Sequence, residues 1–134
     1  MLAAAQGVAG AVNSGPDAKR AHNEHTEFLV LDGLERVTRW APGATEGVVV
    51  AEPYEDDHLS GWMAMAVDVD GALLVVDEDN SRVTRWVGGA IESVVAGSNG
   101  KGPGLQQFDV PYAVAVDIGG ALLVADYGNH RVMR

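Results

Sequence analysis

The chain has 134 residues, enough for one ordinary domain, and 47% of them are apolar, which excludes a disordered polymer. Nineteen acidic residues against nine Lys and Arg give a formal charge of −10, which works against a phosphate-backbone partner. There is no cysteine, so neither a disulfide nor a thiolate metal site is available.

The opening MLAAAQGVAGAV is small and apolar, but its first basic residues, Lys19 and Arg20, follow the apolar part instead of preceding it. That is not the pattern of a secretory signal, and no stretch approaches the length of a membrane span. The default expectation is a cytoplasmic protein with neither membrane nor nucleic acid as partner.

One stretch organises the rest. Residues 67–85, VDVDGALLVVDEDNSRVTR, return 49 positions later as residues 116–134, VDIGGALLVADYGNHRVMR, identical at 12 of 19 positions without a gap. A fixed period of this length, made of short apolar runs and polar turns, marks a repeat architecture.

In chain order, residues 1–12 end in Val8-Ala9-Gly10, which echoes Val95-Ala96-Gly97, and are expected to form the last strand of a preceding unit. Residues 13–27 form a loop. Gly10 and Asp32 are 22 residues apart, whereas Gly97 and Asp126 are 29 apart. The shortfall is about the length of residues 111–117, so the first unit is expected to lack its inner strand. Residues 28–51 are a degraded copy. FLVLD matches LLVVD at 73–77, RVTRW at 36–40 is identical to 82–86, and residues 47–51 align with 93–97. Residues 52–62 are loop.

Residues 63–97 form the complete unit. Strands are expected over 63–67, 72–76, 82–87 and 91–96 from alternation and short apolar runs. They are joined by an Asp70-Gly71 turn, a 77–81 turn with Asn80 in the left-handed position, and Gly88-Gly89. Such a series is an antiparallel meander. Residues 98–110 are a Gly-rich loop. Residues 111–134 are a truncated unit with strands over 112–116, 121–125 and from 131 onward.

The recurring residues carry a resemblance. Pro111 to Asp117 (PYAVAVD), Gly120 to Asp126 (GALLVAD) and then Gly128-Asn129-His130-Arg131-Val132 resemble the NHL repeat, with Asn80-Ser81-Arg82 at the signature in the middle copy. The first copy, Asp32-Gly33-Leu34-Glu35-Arg36, is one residue short there and has no Asn. The resemblance implies an all-β fold: a partial β-propeller of four-stranded antiparallel blades, open rather than a closed ring. Closed propellers have about four to eight blades, and about two and a half are legible here. The expectation is a fragment of a longer propeller, with edge-to-edge self-association through its open edges. A dimer pooling its blades into one ring is the alternative.

Several residues invite chemistry. Asp77, Asn80 and Arg82 recur as Asp126, Asn129 and Arg131. Repetition in each copy points to a structural turn, with the Arg reaching back to the Asp. Arg82, Arg131 and Trp86 are also the candidate binding residues, at a rim or as an Arg–Trp stack. Asp68-Val69-Asp70-Gly71 lacks the ligand spacing of a calcium loop. His22 and His25, with Glu24 between, are the candidate metal ligands, against a bland reading as solvated loop. Neither a nucleophile elbow nor a phosphate loop is present.

No catalytic residue and no cofactor is expected. The resemblance implies a non-catalytic interaction scaffold that takes a protein or small ligand through its blade loops. One alternative is a metal-dependent lyase or lactonase propeller. A second is RNA binding, which the charge disfavours.

Overall fold

The computed structural model describes residues 4–8, 27–32, 36–52 and 61–134. All described regular structure is β apart from one 3-10 turn, Tyr127–Asn129. The chain divides into two compact units, Met1–Glu52 and Pro53–Arg134.

The first unit holds one four-stranded antiparallel sheet in the order β1 (Ala4–Val8), β2 (Glu27–Leu31), β3 (Val37–Trp40), β4 (Val48–Ala51). Strand pairing fixes its faces, because side chains alternate across a strand. Leu29, Leu31, Val37 and Ala51 share one face and are buried. Phe28, Val30, Thr38, Trp40 and Val49 share the other and are partly or wholly exposed.

The second unit holds two sheets. The first is a four-stranded meander of β5 (Trp62–Val67), β6 (Leu73–Asp77), β7 (Arg82–Val87) and β8 (Ala90–Ala96). The other has three strands in the order β9 (Pro111–Val116), β10 (Leu122–Asp126), β11 (Arg131–Met133). Every residue of β6 is buried, so its continuous apolar run reads as a strand covered on both faces. β8, at the sheet edge, is largely exposed.

β9 packs against β5 and β6. The shared core sets Ala66, Leu74, Val76 and Val83 of the four-stranded sheet against Phe108, Val114 and Val124, with Leu122 and Met133 packed around them. Burial of this kind contributes about 25 cal/mol per Å² of apolar surface.

The hairpin turns follow the repeat. Asp68 Oδ1 accepts the backbone N–H groups of Asp70 and Ala72, both at 2.9 Å. Asp117 Oδ1 likewise accepts those of Gly119 (2.8 Å) and Ala121 (2.9 Å). Gly71 and Gly120 carry φ of 84° and 86° in these turns. Gly88 and Gly89 both have positive φ, as a two-residue hairpin joining β7 to β8 requires.

Three expectations are corrected. Residues 1–12 were expected as the last strand of a preceding unit, and residues 28–51 as a copy without its inner strand. Instead β1 pairs antiparallel with β2 and takes the edge position that β5 holds beside β6. The strand precedes Gly10, so the shortness of the Gly10-to-Asp32 interval does not remove it. The left-handed position of the 77–81 turn belongs to Ser81 (φ 51°) and, in the next copy, His130 (φ 53°), not to Asn80. The alignment of residues 47–51 with 93–97 slips by one. Val37 pairs with Ala51 and Val83 with Ala96, and both ladders carry the same bulge one residue later.

Candidate functional site

The recurring Asp–Asn–Arg residues come together in both sheets of the second unit. Asp77 is fully buried. Its Oδ1 accepts the backbone N–H (3.2 Å) and Nδ2 (3.1 Å) of Asn80, and its Oδ2 accepts Asn80 Nδ2 (2.9 Å) and Arg82 Nε (3.0 Å). Asn80 is thus spent as a side-chain donor. The left-handed residue falls one step later, where Ser81 N–H donates to the Glu78 carbonyl at 3.0 Å.

Asp126, also fully buried, holds the same cluster and one thing more. Its Oδ2 accepts Asn129 Nδ2 and Arg131 Nε, both at 2.8 Å, while its Oδ1 accepts the backbone N–H of Asp109 at 2.7 Å. Burial alone would raise the pKa of this carboxyl. Asn129, the Asp109 N–H and Arg131 together outweigh it and hold the group below the usual carboxylate range.

Arg131 then reaches into the Gly-rich loop. Its guanidinium donates to the carbonyls of Pro103 (2.9 Å), Gly104 (2.7 Å) and Gln107 (2.9 Å), and Asn129 Nδ2 donates to that of Gly102 (3.0 Å). From inside the loop, the Gln107 amide accepts Gly104 N–H and donates to the carbonyls of Asn99 and Lys101. Residues 99–107 are therefore pinned by side chains, despite their glycines.

Where this loop meets the 78–81 turn, Glu78, Asp79, Ser81, Lys101, Asp109 and Val110 line a small cleft. The Lys101 ammonium lies 3.2 Å from Asp109 Oδ1 and is well exposed. Val110 has a φ of 51°, a conformation that a β-branched residue adopts only under strain. The equivalent position one repeat earlier is Gly61, with a φ of 92°. The cleft offers hydroxyl, ammonium and carboxylate groups for hydrogen bonding. Among its described residues there is no His or Cys and no nucleophile–base pair of the kind that covalent catalysis needs.

The candidate binding residues are differently placed. Arg82 and Arg131 are engaged with Asp77 and Asp126, and about a quarter of each side chain is exposed. Trp86 is buried, edge-to-face on Trp62 with ring centroids 5.2 Å apart, and its indole N–H donates to Thr84 Oγ1 at 2.9 Å. Trp40 repeats that bond to Thr38 at the same distance, as its identical RVTRW context leads one to expect. The candidate metal ligands His22 and His25 lie outside the described residues. Among the described residues, no three His, Asp or Glu side chains group as a metal site requires.

Two features went unread in the sequence. Asp68 pairs with Arg85 at 2.6 Å and Asp117 with Arg134 at 3.0 Å, a second recurring tie that brackets each unit. Both residues recur at the 49-residue period, so the signal was available. Burial would raise Asp68, but Arg85 and the backbone N–H groups of Ala72 and Asp70 hold it below the usual range. Asp117 is lowered by the Ala121 N–H and then by Arg134. The other unread feature is an exposed groove on the three-stranded sheet, lined by Tyr112, Ala125, Tyr127, His130, Arg131 and Val132, where the two Tyr rings sit 6.1 Å apart.

No protein-family profile matches the sequence, and no curated protein matches it. Among solved structures, the chain is similar to an auxiliary nutrient binding protein from Bacteroides thetaiotaomicron. The TM-score is 0.58 at 13% sequence identity, covering 79% of this chain and 33% of that one. The chain therefore spans about a third of that protein's length. At such identity the likeness concerns the fold.

Proposed function

We propose that this chain is a partial β-propeller of the NHL kind and works as a non-catalytic binding scaffold. Its ligand, a protein or a small molecule, meets the loops where the copies differ. The observation that carries the reading is the division of labour among polar side chains. Those that recur at the 49-residue period (Asp68, Asp77, Asn80, Arg82 and their counterparts) are consumed in building turns. Those that do not recur, Lys101, Asp109, Glu78 and Asp79, gather around the cleft between the 78–81 turn and the pinned loop. A rigid scaffold presenting variable loops is the usual arrangement of a binding site. The similarity of fold to a nutrient binding protein is compatible with it.

The test is to incubate the chain with a panel of sugars, amino acids and nucleosides, recording thermal stabilisation and chemical change in the same samples. A true ligand stabilises by RT ln(1 + [L]/Kd) and is recovered unaltered. The stabilisation should weaken in Lys101→Ala. Turnover of any compound would overturn the non-catalytic reading. Stabilisation indifferent to Lys101→Ala would move the site away from this cleft.

A further inference from the structure

The packing between the two sheets of the second unit is a template for a contact whose two kinds of face are also found exposed elsewhere among the described residues. In that packing, the four-stranded sheet offers Ala66, Leu74, Val76 and Val83, all buried. The three-stranded sheet covers them with Val114, Val124, Leu122 and Met133. Call the first kind of face the seat and the second kind the cover.

The three-stranded sheet also has a seat. Advancing the seat residues by the 49-residue repeat gives Ala115, Leu123, Ala125 and Val132, and the pairings Leu123–Ala115 and Ala125–Val132 put them on one face. None of them is buried: Val132 is 70% exposed where Val83 is 0%. The Tyr112–Tyr127 groove opens on this same face.

The sheet of the first unit has an open cover. Phe28, Val30, Thr38, Trp40 and Val49 stand where the next sheet carries Leu73, Val75, Thr84, Trp86 and Val94, by the matching ladders of the two sheets. Leu73, Val75, Thr84 and Trp86 are buried, whereas Phe28 is 48% exposed and Val49 is 43% exposed. Clustered apolar exposure of this sort marks an interaction surface. Among the described residues the chain thus displays an exposed seat and an exposed cover, each matched to the other by the contact already formed inside the second unit.

We propose that the occupant is a second copy of this chain, docking head to tail. The Phe28–Trp40 face of one copy packs on the Ala125–Val132 face of another. The contact is heterologous, so it propagates into a closed ring or an open series, according to the rotation between copies. The inference goes beyond the binding reading and does not depend on it.

The experiment is sedimentation velocity on the 134-residue chain over a wide concentration range, with two variants at exposed positions. The unaltered chain should sediment as a concentration-dependent assembly above its monomer mass of 14.0 kDa. Val132→Lys spoils the seat and Phe28→Asp spoils the cover, and each alone should return the chain to monomer with an unchanged circular dichroism spectrum. Mixing the two variants decides the geometry. The intact cover of Val132→Lys can still dock on the intact seat of Phe28→Asp, so a heterodimer of twice the monomer mass should form. An unaltered chain that stays monomeric at every concentration overturns the proposal. So does assembly that survives Phe28→Asp, or a mixture that remains monomeric.

Discussion

Asp126→Ala tests whether a buried carboxylate, and not loop sequence, holds the three-stranded sheet to the Gly-rich loop. The substitution removes the acceptor for Asp109 N–H, Asn129 and Arg131 at once. Breaking a buried ion pair by deleting one partner costs about 3–5 kcal/mol. Arg131 keeps three carbonyl partners and 23% of its side chain is exposed, which favours the lower end. The part-buried Asp109 N–H loses its acceptor, which adds about 1–3 kcal/mol. The expected loss is about 4 kcal/mol, a large fraction of the roughly 5–15 kcal/mol that a domain holds in total. Urea unfolding followed by fluorescence of the Trp62–Trp86 pair would read it. With a slope of about 1–3 kcal/mol/M, the midpoint should fall by more than about 1 M. Arg131→Ala completes a double-mutant cycle, and the two residues should couple by about 1 kcal/mol or more, since they share a bond and a loop. A cost below about 1 kcal/mol for Asp126→Ala, or strict additivity with Arg131→Ala, would refute the reasoning.

Two further predictions concern backbone space and acid. Gly97→Ala should destabilise more than Gly100→Ala, although both glycines have positive φ. A Cβ at 97 would meet the Ser81 carbonyl at 2.4 Å and the Phe108 ring at 2.7 Å, whereas at 100 it meets nothing. The φ penalty alone is about 1–2 kcal/mol, and the overlap adds about 1–3 kcal/mol at position 97; equal urea midpoints for the two variants would contradict this. Asp68, Asp117 and Asp126 are all held below their ordinary values in the folded chain. The unfolded chain therefore binds their protons first. Their contribution is fully present above the ordinary carboxylate value of about 4, and it is lost as pH falls below that value and through the lowered ones. Chemical denaturation from neutral to strongly acid pH should show stability dropping there, and a flat profile would exclude the mechanism.

Much of the second unit was legible because the repeat is nearly literal. Strand positions in 63–97 and 111–134 came from short apolar runs that stayed in register over 49 residues, and the Asp77–Arg82 and Asp126–Arg131 ties from residues recurring with them. The sequence marks β1 as a strand but points to the wrong unit, because Val8-Ala9-Gly10 echoes Val95-Ala96-Gly97 while its partner β2 lies far along the chain. Asn80 was placed in the left-handed position on its general preference for that conformation. That preference lost to the Asn80 side chain's two bonds with Asp77. The slip at Ala51 came from the connection between the two strands: Val48 follows its partner Arg39 by nine positions, whereas Ser93 follows its partner Arg85 by eight. The Arg131 clamp joins residues 24 to 28 apart, and periodicity within elements carries no information about such pairs.

The pinned loop bears on how the molecule breathes. Four glycines between residues 97 and 104 would ordinarily make a tether, letting the sheets on either side open independently. Here the tether is fastened by Gln107 from within and by Asn129 and Arg131 from beyond it. Releasing the loop requires disrupting the turn that Asp126 anchors. Slow amide exchange should therefore treat the two sheets of the second unit as one foldon. The amides of Asp109 and Gly128, which close the junction at 2.7 Å each, would exchange only when both sheets open together.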